Sequence, residues 1–245
     1  MIKVENVEVF NFEGALRGMR NPLNSWGKAD SGWGCFVDEK DNVDKYDYPI
    51  GTITKCDECD WCEPLCENGY NLKCTYIIGQ NDLDLMHRLY KAGTEHRKYA
   101  RQIFVSMDIT CNHIWWSELD TYKVGTTRNS CSKMHKIHVK EFIKDDFSHE
   151  GIDEVGGGVE KVFEAVIAQL EYLRIMFNET HEKKYWRAMI ELLPMGYNIK
   201  ATVTMNYENV FTMIKQRSGH KLDEWNTFVE ILKDLPYVKE ITDAD

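Results

Sequence analysis

Gly-Thr-Glu-His-Arg-Lys-Tyr-Ala-Arg (residues 93–101) runs into Gln-Ile-Phe-Val-Ser-Met-Asp-Ile-Thr (102–110) and Cys-Asn-His-Ile-Trp-Trp-Ser-Glu-Leu-Asp-Thr-Tyr (111–122). Lys-Val-Gly-Thr-Thr-Arg-Asn-Ser-Cys-Ser-Lys-Met-His-Lys (123–136) follows. Gly93 stops whatever helix precedes it and opens a turn that holds His96. Alternation through 102–110 predicts a strand. Ile114, Trp115, Trp116, Leu119 and Tyr122 recur at helical spacing and predict a helix over 112–122, with the Trp pair packing it. Residues 123–136, rich in Gly, Thr, Ser and Lys, read as loop.

Outward toward the N-terminus, Ile2, Val4, Val7 and Val9 alternate with charges and predict a strand over 2–10 with one irregularity. A short helix fits 12–19, then loop to residue 34, and an exposed polar stretch at 36–50. Asn81-Asp82 can cap a helix whose apolar face is Leu83, Leu85, Met86, Leu89 and Tyr90. Outward toward the C-terminus, Val159, Val162, Phe163, Val166, Ile167, Leu170, Leu173 and Phe177 form a stripe over 158–178. The Gly156-Gly157-Gly158 run ahead of it reads as a joint, since no strand leads in and no Gly-Lys-Ser/Thr follows. A helix at 182–192 stops before Pro194, a strand fits 198–205, and helices fit 207–216 and 221–234. Helices and strands mix without a regular βαβ repeat, so the fold class is α+β, with residues 1–245 as a single domain.

The 245 residues carry 30 Lys plus Arg against 40 Asp plus Glu, a formal charge of −10. Coating bulk nucleic acid needs a basic face, so the balance argues against that class but leaves room for a small basic pocket. No stretch approaches the ~18 apolar residues of a membrane span. The start, Met1 to Val7, has charges where a signal peptide has its apolar run. The expectation is a cytoplasmic protein with no membrane contact, whose eight cysteines are thiols or metal ligands rather than disulfides.

Cysteines concentrate at Cys56, Cys59, Cys62 and Cys66, with Cys74 beyond, in a segment read as an insertion over 52–76. Three readings compete. Four thiolates can hold a structural zinc, the spacing also allows an iron–sulfur cluster, and reduced thiols on an exposed hairpin need no metal. Asp57, Glu58, Asp60, Glu63 and Glu67 crowd the segment, which favours a divalent cation over an already anionic cluster. Cys35 and Cys111 read as buried small hydrophobes.

The order of elements across 80–236, with a looser match at 1–30, resembles the flavin-dependent thymidylate synthases. In that family a helix ends in Gly and a His-containing turn, and a strand and short helix lead to R-H-R-x-x-S-x-N-E-x-S-x-R. Leu192-Leu193-Pro194, a strand ending Thr204-Met205-Asn206, and a helix ending at Arg217 recur in the family's order, and His220 and Trp225 echo it as well. Laid on the motif, its three basic positions are Thr121, Tyr122 and Lys123, its first Ser is Thr126, and its Asn and Glu are Arg128 and Asn129. The second Ser is Cys131 and the last Arg is Lys133. A further family Arg falls at Ile190.

The resemblance implies an enzyme that moves a one-carbon unit from methylenetetrahydrofolate to C5 of dUMP with FAD-mediated reduction, in a homotetramer with sites shared between subunits. No side-chain nucleophile is required, and no catalytic dyad is evident. By resemblance, Arg217, Lys133, Arg128, Asn129, Ser130, Cys131 and Glu118 face the uracil nucleotide. His96, Lys123, Thr126, Asn206 and Thr212 face the flavin. A reduced folate is the further partner. Competing readings stand beside these: Lys123 and Lys133 as solvated loop lysines, Arg217 as a helix C-terminal cation on the dipole, and Cys131 as a thiol activated by basic neighbours. A nucleotide-binding protein that has lost flavin chemistry is the alternative function. A metal-stabilised interaction module rests on the cysteines alone.

Overall fold

Val105, Met107, Ile109 and Cys111 alternate with Ser106, Asp108 and Thr110, and the strand they build, β4 (Phe104–Asn112), has one buried and one more polar face. The same rule makes β6 (Asn198–Asn206), where Ile199, Ala201, Val203 and Met205 are buried. A computed structural model describes residues 2–37 and 72–243. The cysteine-dense segment with Cys56, Cys59, Cys62 and Cys66 lies outside these residues. The chain divides into two compact units of interleaved segments. Residues 1–8, 105–205 and 212–232 form the first, and 9–104, 206–211 and 233–245 the second.

A four-stranded sheet has the order β1-β4-β6-β5, where β1 is Lys3–Phe10 and β5 is Thr127–Ser130. Asn6, at φ 52°, is the irregularity in β1, and Asn is among the side chains that tolerate this conformation. The edge strand β5 pairs antiparallel with β6, Thr127 opposite Thr204 and Ser130 opposite Ala201. This corrects the reading of 123–136 as loop, which also contains the one-turn helix α4 (Lys133–Lys136).

In the first unit, α3 (His113–Leu119) follows β4, two residues after Cys111. Asn112 caps it, its side-chain oxygen accepting the Trp115 N–H at 3.0 Å. The helix ends at Leu119, so Tyr122 belongs to the following turn rather than to a helix reaching 122. Trp115 and Trp116 are buried, as the packing reading requires. Trp115 lies 5.0 Å from Trp225 and 5.1 Å from Phe228, ring centre to ring centre, on α9 (Asp223–Lys233). A second core gathers Phe142, Phe147, Phe163, Leu170, Leu173 and Met189 between α6 (Gly157–Thr180) and α7 (Lys183–Leu192). Of the expected stripe on α6, Val159 and Val162 are not core: they are 48% and 65% exposed. The short α5 (Glu150–Val155) breaks from α6 at Gly156 and Gly157, φ 62° and 60°, a backbone that side chains with a Cβ disfavour.

In the second unit, α1 (Phe12–Arg20) buries Phe12, edge-on to Tyr207 and to Tyr237 at 5.8 and 5.7 Å. An antiparallel hairpin joins β2 (Gly32–Val37) and β3 (Leu72–Ile77). α2 (Gln80–Ala92) ends at Gly93 as expected, but Asn81-Asp82 do not cap it. Asp30, distant in sequence, accepts the N–H groups of Asn81 and Asp82 at 2.9 and 3.1 Å. Asp82 instead pairs with the buried Arg20. α10 (Val238–Thr242) is an element the sequence reading lacks. Among the described residues no helix is long and apolar enough to cross a membrane.

Candidate functional site

Four segments of the first unit build one polar cluster. α3 supplies Glu118, the turn after it Tyr122, the C-terminal turn of α8 (Tyr207–Arg217) supplies Arg217, and the start of α9 brings Trp225. Glu118 sits at the end of α3 and Tyr122 in the turn that follows, and both side chains reach Arg217.

Arg217 donates through Nη1 to Glu118 and through Nε to the Tyr122 hydroxyl at 2.9 Å. Its guanidinium lies 4.6 Å from the Trp225 ring centre and 5.6 Å from that of Tyr122. Stacking between two aromatic faces holds the planar cation in one orientation. Trp225 Nε1 donates to the same Glu118 oxygen at 2.8 Å. The Leu222 N–H donates to His220 Nδ1 at 3.1 Å, and His220 Nε2 lies 3.1 Å from Arg217 Nη1 and 3.5 Å from Glu118. Tyr122 in turn donates to Gln216 at 3.0 Å. Nε and Nη1 of Arg217 are thus engaged, and Nη2 makes no hydrogen bond among the described residues.

Beside this cluster opens a hollow of about 170 Å³ lined by Leu119, Asp120, Tyr122, Lys123, Thr126 and Arg128. Arg128 pairs with Asp120 at 3.2 Å and lies 4.9 Å from the Trp116 ring centre. The Thr126 hydroxyl is buried with no hydrogen-bond partner among the described residues. Such an orphan is uncommon in a folded chain and marks a place where a ligand or water completes the bonding. Volume, cations and the unpaired hydroxyl fit a phosphate-sized anion.

The structure therefore brings together Glu118 with Arg217, and Lys123 with Thr126 and Arg128, the two groups meeting at Tyr122. Asn129 and Ser130 lie exposed on the edge strand β5, and Cys131 prolongs it, its N–H donating to the Lys200 carbonyl at 3.0 Å. Lys133 begins α4. Thr212 is half-buried on α8, five residues before Arg217. Asn206 and His96 belong to the second unit. Asn206 is buried, and its side-chain oxygen accepts the Asn209 N–H at 3.0 Å, capping the first turn of α8. His96 is exposed in the turn after Gly93.

Sequence reasoning missed the coupling roles of Tyr122 and Trp225. The spacing Glu118-x3-Tyr122 is the signal that could have found the first, and only tertiary contact could have found the second. Burial raises the Cys111 thiol to about 12, so it stays protonated and inert at neutral pH, as a small core hydrophobe should. Among the described residues no cluster of His, Cys, Asp and Glu could hold a metal ion.

No protein-family model matches the sequence, and no curated protein matches it either. Solved structures do. Thymidylate synthase X from Helicobacter pylori, with FAD and dUMP, matches with a TM-score of 0.59 at 15% identity, over 98% of this chain and 96% of that one. A second structure, of the flavin-dependent thymidylate synthase ThyX from Helicobacter pylori complexed with FAD and dUMP, matches at 0.58 and 15%, over 98% and 99%. At this identity the likeness establishes architecture: the chain has a fold like that of the flavin-dependent thymidylate synthase ThyX.

Proposed function

We propose that the chain is a flavin-dependent thymidylate synthase-like enzyme, transferring a one-carbon unit from methylenetetrahydrofolate to C5 of dUMP. The observation that carries the reading is the convergence, on this fold, of the Glu118–Arg217–Tyr122 cluster with the cationic hollow at Lys123, Thr126 and Arg128. Arg217 holds the nucleotide phosphate through its remaining donors, pinned by Glu118 and stacked on Trp225. Asn129, Ser130, Cys131 and Lys133 line the same ligand along the edge strand and the turn after it. Lys123 and Thr126 hold a phosphate of FAD, with Thr212 toward the same cofactor, and the flavin roles of His96 and Asn206 rest on the family resemblance alone. Bound flavin, when reduced, supplies the hydride. The protein's own work is binding, orientation and charge neutralisation, which needs no side-chain nucleophile.

The exposed Val159 and Val162 give a second copy an apolar surface on α6, and we assign them to a homotetramer interface. We assign Cys56, Cys59, Cys62 and Cys66 to a structural zinc, checked by elemental analysis. Stoichiometric zinc is expected, and its absence removes the assignment. The expected compartment is the cytoplasm.

One observation favours the second reading, a nucleotide-binding protein without flavin chemistry. The motif's three basic positions hold Thr121, Tyr122 and Lys123, and the Tyr122 hydroxyl is committed to Arg217 and Gln216. The absorbance spectrum and dUMP calorimetry separate the readings. The enzyme should be yellow or take up added FAD, and should bind dUMP. Arg217→Ala should weaken dUMP binding by about tenfold to a hundredfold, the cost of a charged hydrogen bond. A colourless protein that refuses FAD yet binds dUMP supports the second reading, and silence toward both ligands removes both.

A further inference from the structure

The second unit carries its own pocket, of about 600 Å³, lined by Arg20, Lys28, Asn81, Asp84, His87 and Arg88. Sites for small molecules run from ~300 to 1,000 Å³, so it can hold an organic body and not only an ion. Its walls come from the end of α1, the single-turn helix Trp26–Lys28, and successive turns of α2, on which Asn81, Asp84 and Arg88 share one side.

The charges of this pocket are unbalanced. Arg20 is almost fully buried, its side chain 4% exposed. Nε donates to Asp82, and Nη1 to the carbonyl and hydroxyl of Ser25 at 3.2 and 3.3 Å. Asp82 cannot serve the rest of the guanidinium, because its other oxygen already accepts from the N–H groups of Asp30 and Ser31 and from the Ser31 hydroxyl. Arg20 Nη2 is left buried with no partner among the described residues. Neither Lys28 nor Arg88 forms an ion pair among the described residues. Gln80 donates to the Asp84 carboxylate at 2.7 Å. With Asp82 set against Arg20, the lining keeps two unanswered cations and one carboxylate, on a chain whose formal charge is −10. An acidic protein that collects cations at one concave place has made an anion subsite there.

We propose that this pocket binds a small phosphomonoester. Lys28 and Arg88 receive the phosphate, over a guanidinium fixed from behind by Asp82. Asn81 and Asp84 accept hydrogen bonds from hydroxyl groups on the organic body. The pocket is lined by the second unit alone and does not rest on the proposed synthase activity.

The test is calorimetry on the full chain at low ionic strength, with inorganic phosphate, ribose 5-phosphate and succinate as probes. Ribose 5-phosphate is expected to bind at one equivalent and more tightly than phosphate. Lys28 and Arg88 are exposed, so a K28Q/R88Q double variant should keep its circular dichroism and melting temperature. It should lose at least about tenfold in affinity, as removal of charge-assisted bonds does. K123Q should bind as the parent does. No binding of either phosphate, affinity unchanged in K28Q/R88Q, or loss in K123Q alone would each overturn the proposal. Succinate bound in preference to the phosphoester would assign the pocket to carboxylates, and displacement of ribose 5-phosphate by FAD would assign it to the flavin. Both results end the proposal as stated.

Discussion

Asp108 stands on the polar face of the sheet, where its carboxylate accepts from the Thr202 hydroxyl at 2.6 Å and the Asn6 amide at 2.9 Å, with the Lys200 ammonium at 3.2 Å. These donors hold its carboxyl down at about 2. Its ordinary value is higher, so protonation opposes the native contacts. The stabilisation is complete above the ordinary carboxylate range and fades as pH falls toward 2. Asp108→Asn should flatten the pH dependence of urea unfolding between about pH 4 and 2, and a profile parallel to the parent's would show that the contacts contribute nothing. Thiols should divide just as clearly: alkylation of the native protein followed by peptide mapping should label Cys131, which is exposed, and spare Cys111, which is buried. At this scale the resemblance names Arg217 and Glu118 as candidate site residues. It could not find their ion pair, because the partners lie 99 positions apart.

Among the elements, α2 shows where local rules stop. Asn81-Asp82 stand where an N-cap belongs, but the first turn is capped by Asp30 from the loop before β2. Gly79 is required at that junction, because a Cβ there would press into the side chain and backbone of Asp30. Asp30→Ala should cost about 1 kcal/mol in chemical denaturation, the usual loss on removing a cap. Strand β5 was illegible for another reason. Thr127 to Ser130 are exposed on both sides, so no apolar alternation marks them, and pairing with β6 alone makes them a strand. The strands β4 and β6 and helix α6 were legible because each buries apolar residues along one face.

For the whole molecule, the mixture of helices and strands without a regular repeat could be read, but the division into two units could not. Each unit is assembled from three separated segments, and no composition shift marks the crossings. Val159 and Val162 belong to the stripe over 158–178 but stay exposed, because periodicity reports an apolar face and not what covers it. Val162→Glu should leave the monomer folded and lower the mass measured by light scattering, if a second copy covers α6. An unchanged mass would send those valines back to plain surface. The rim position of β5 has a further consequence. A terminal strand presents main-chain amides and carbonyls outward, and replacing a side chain leaves these groups in place. A ligand gripped there by the peptide backbone is indifferent to whether position 131 carries a thiol or a hydroxyl. Such a rim lets the residues along it drift in identity while the grip persists.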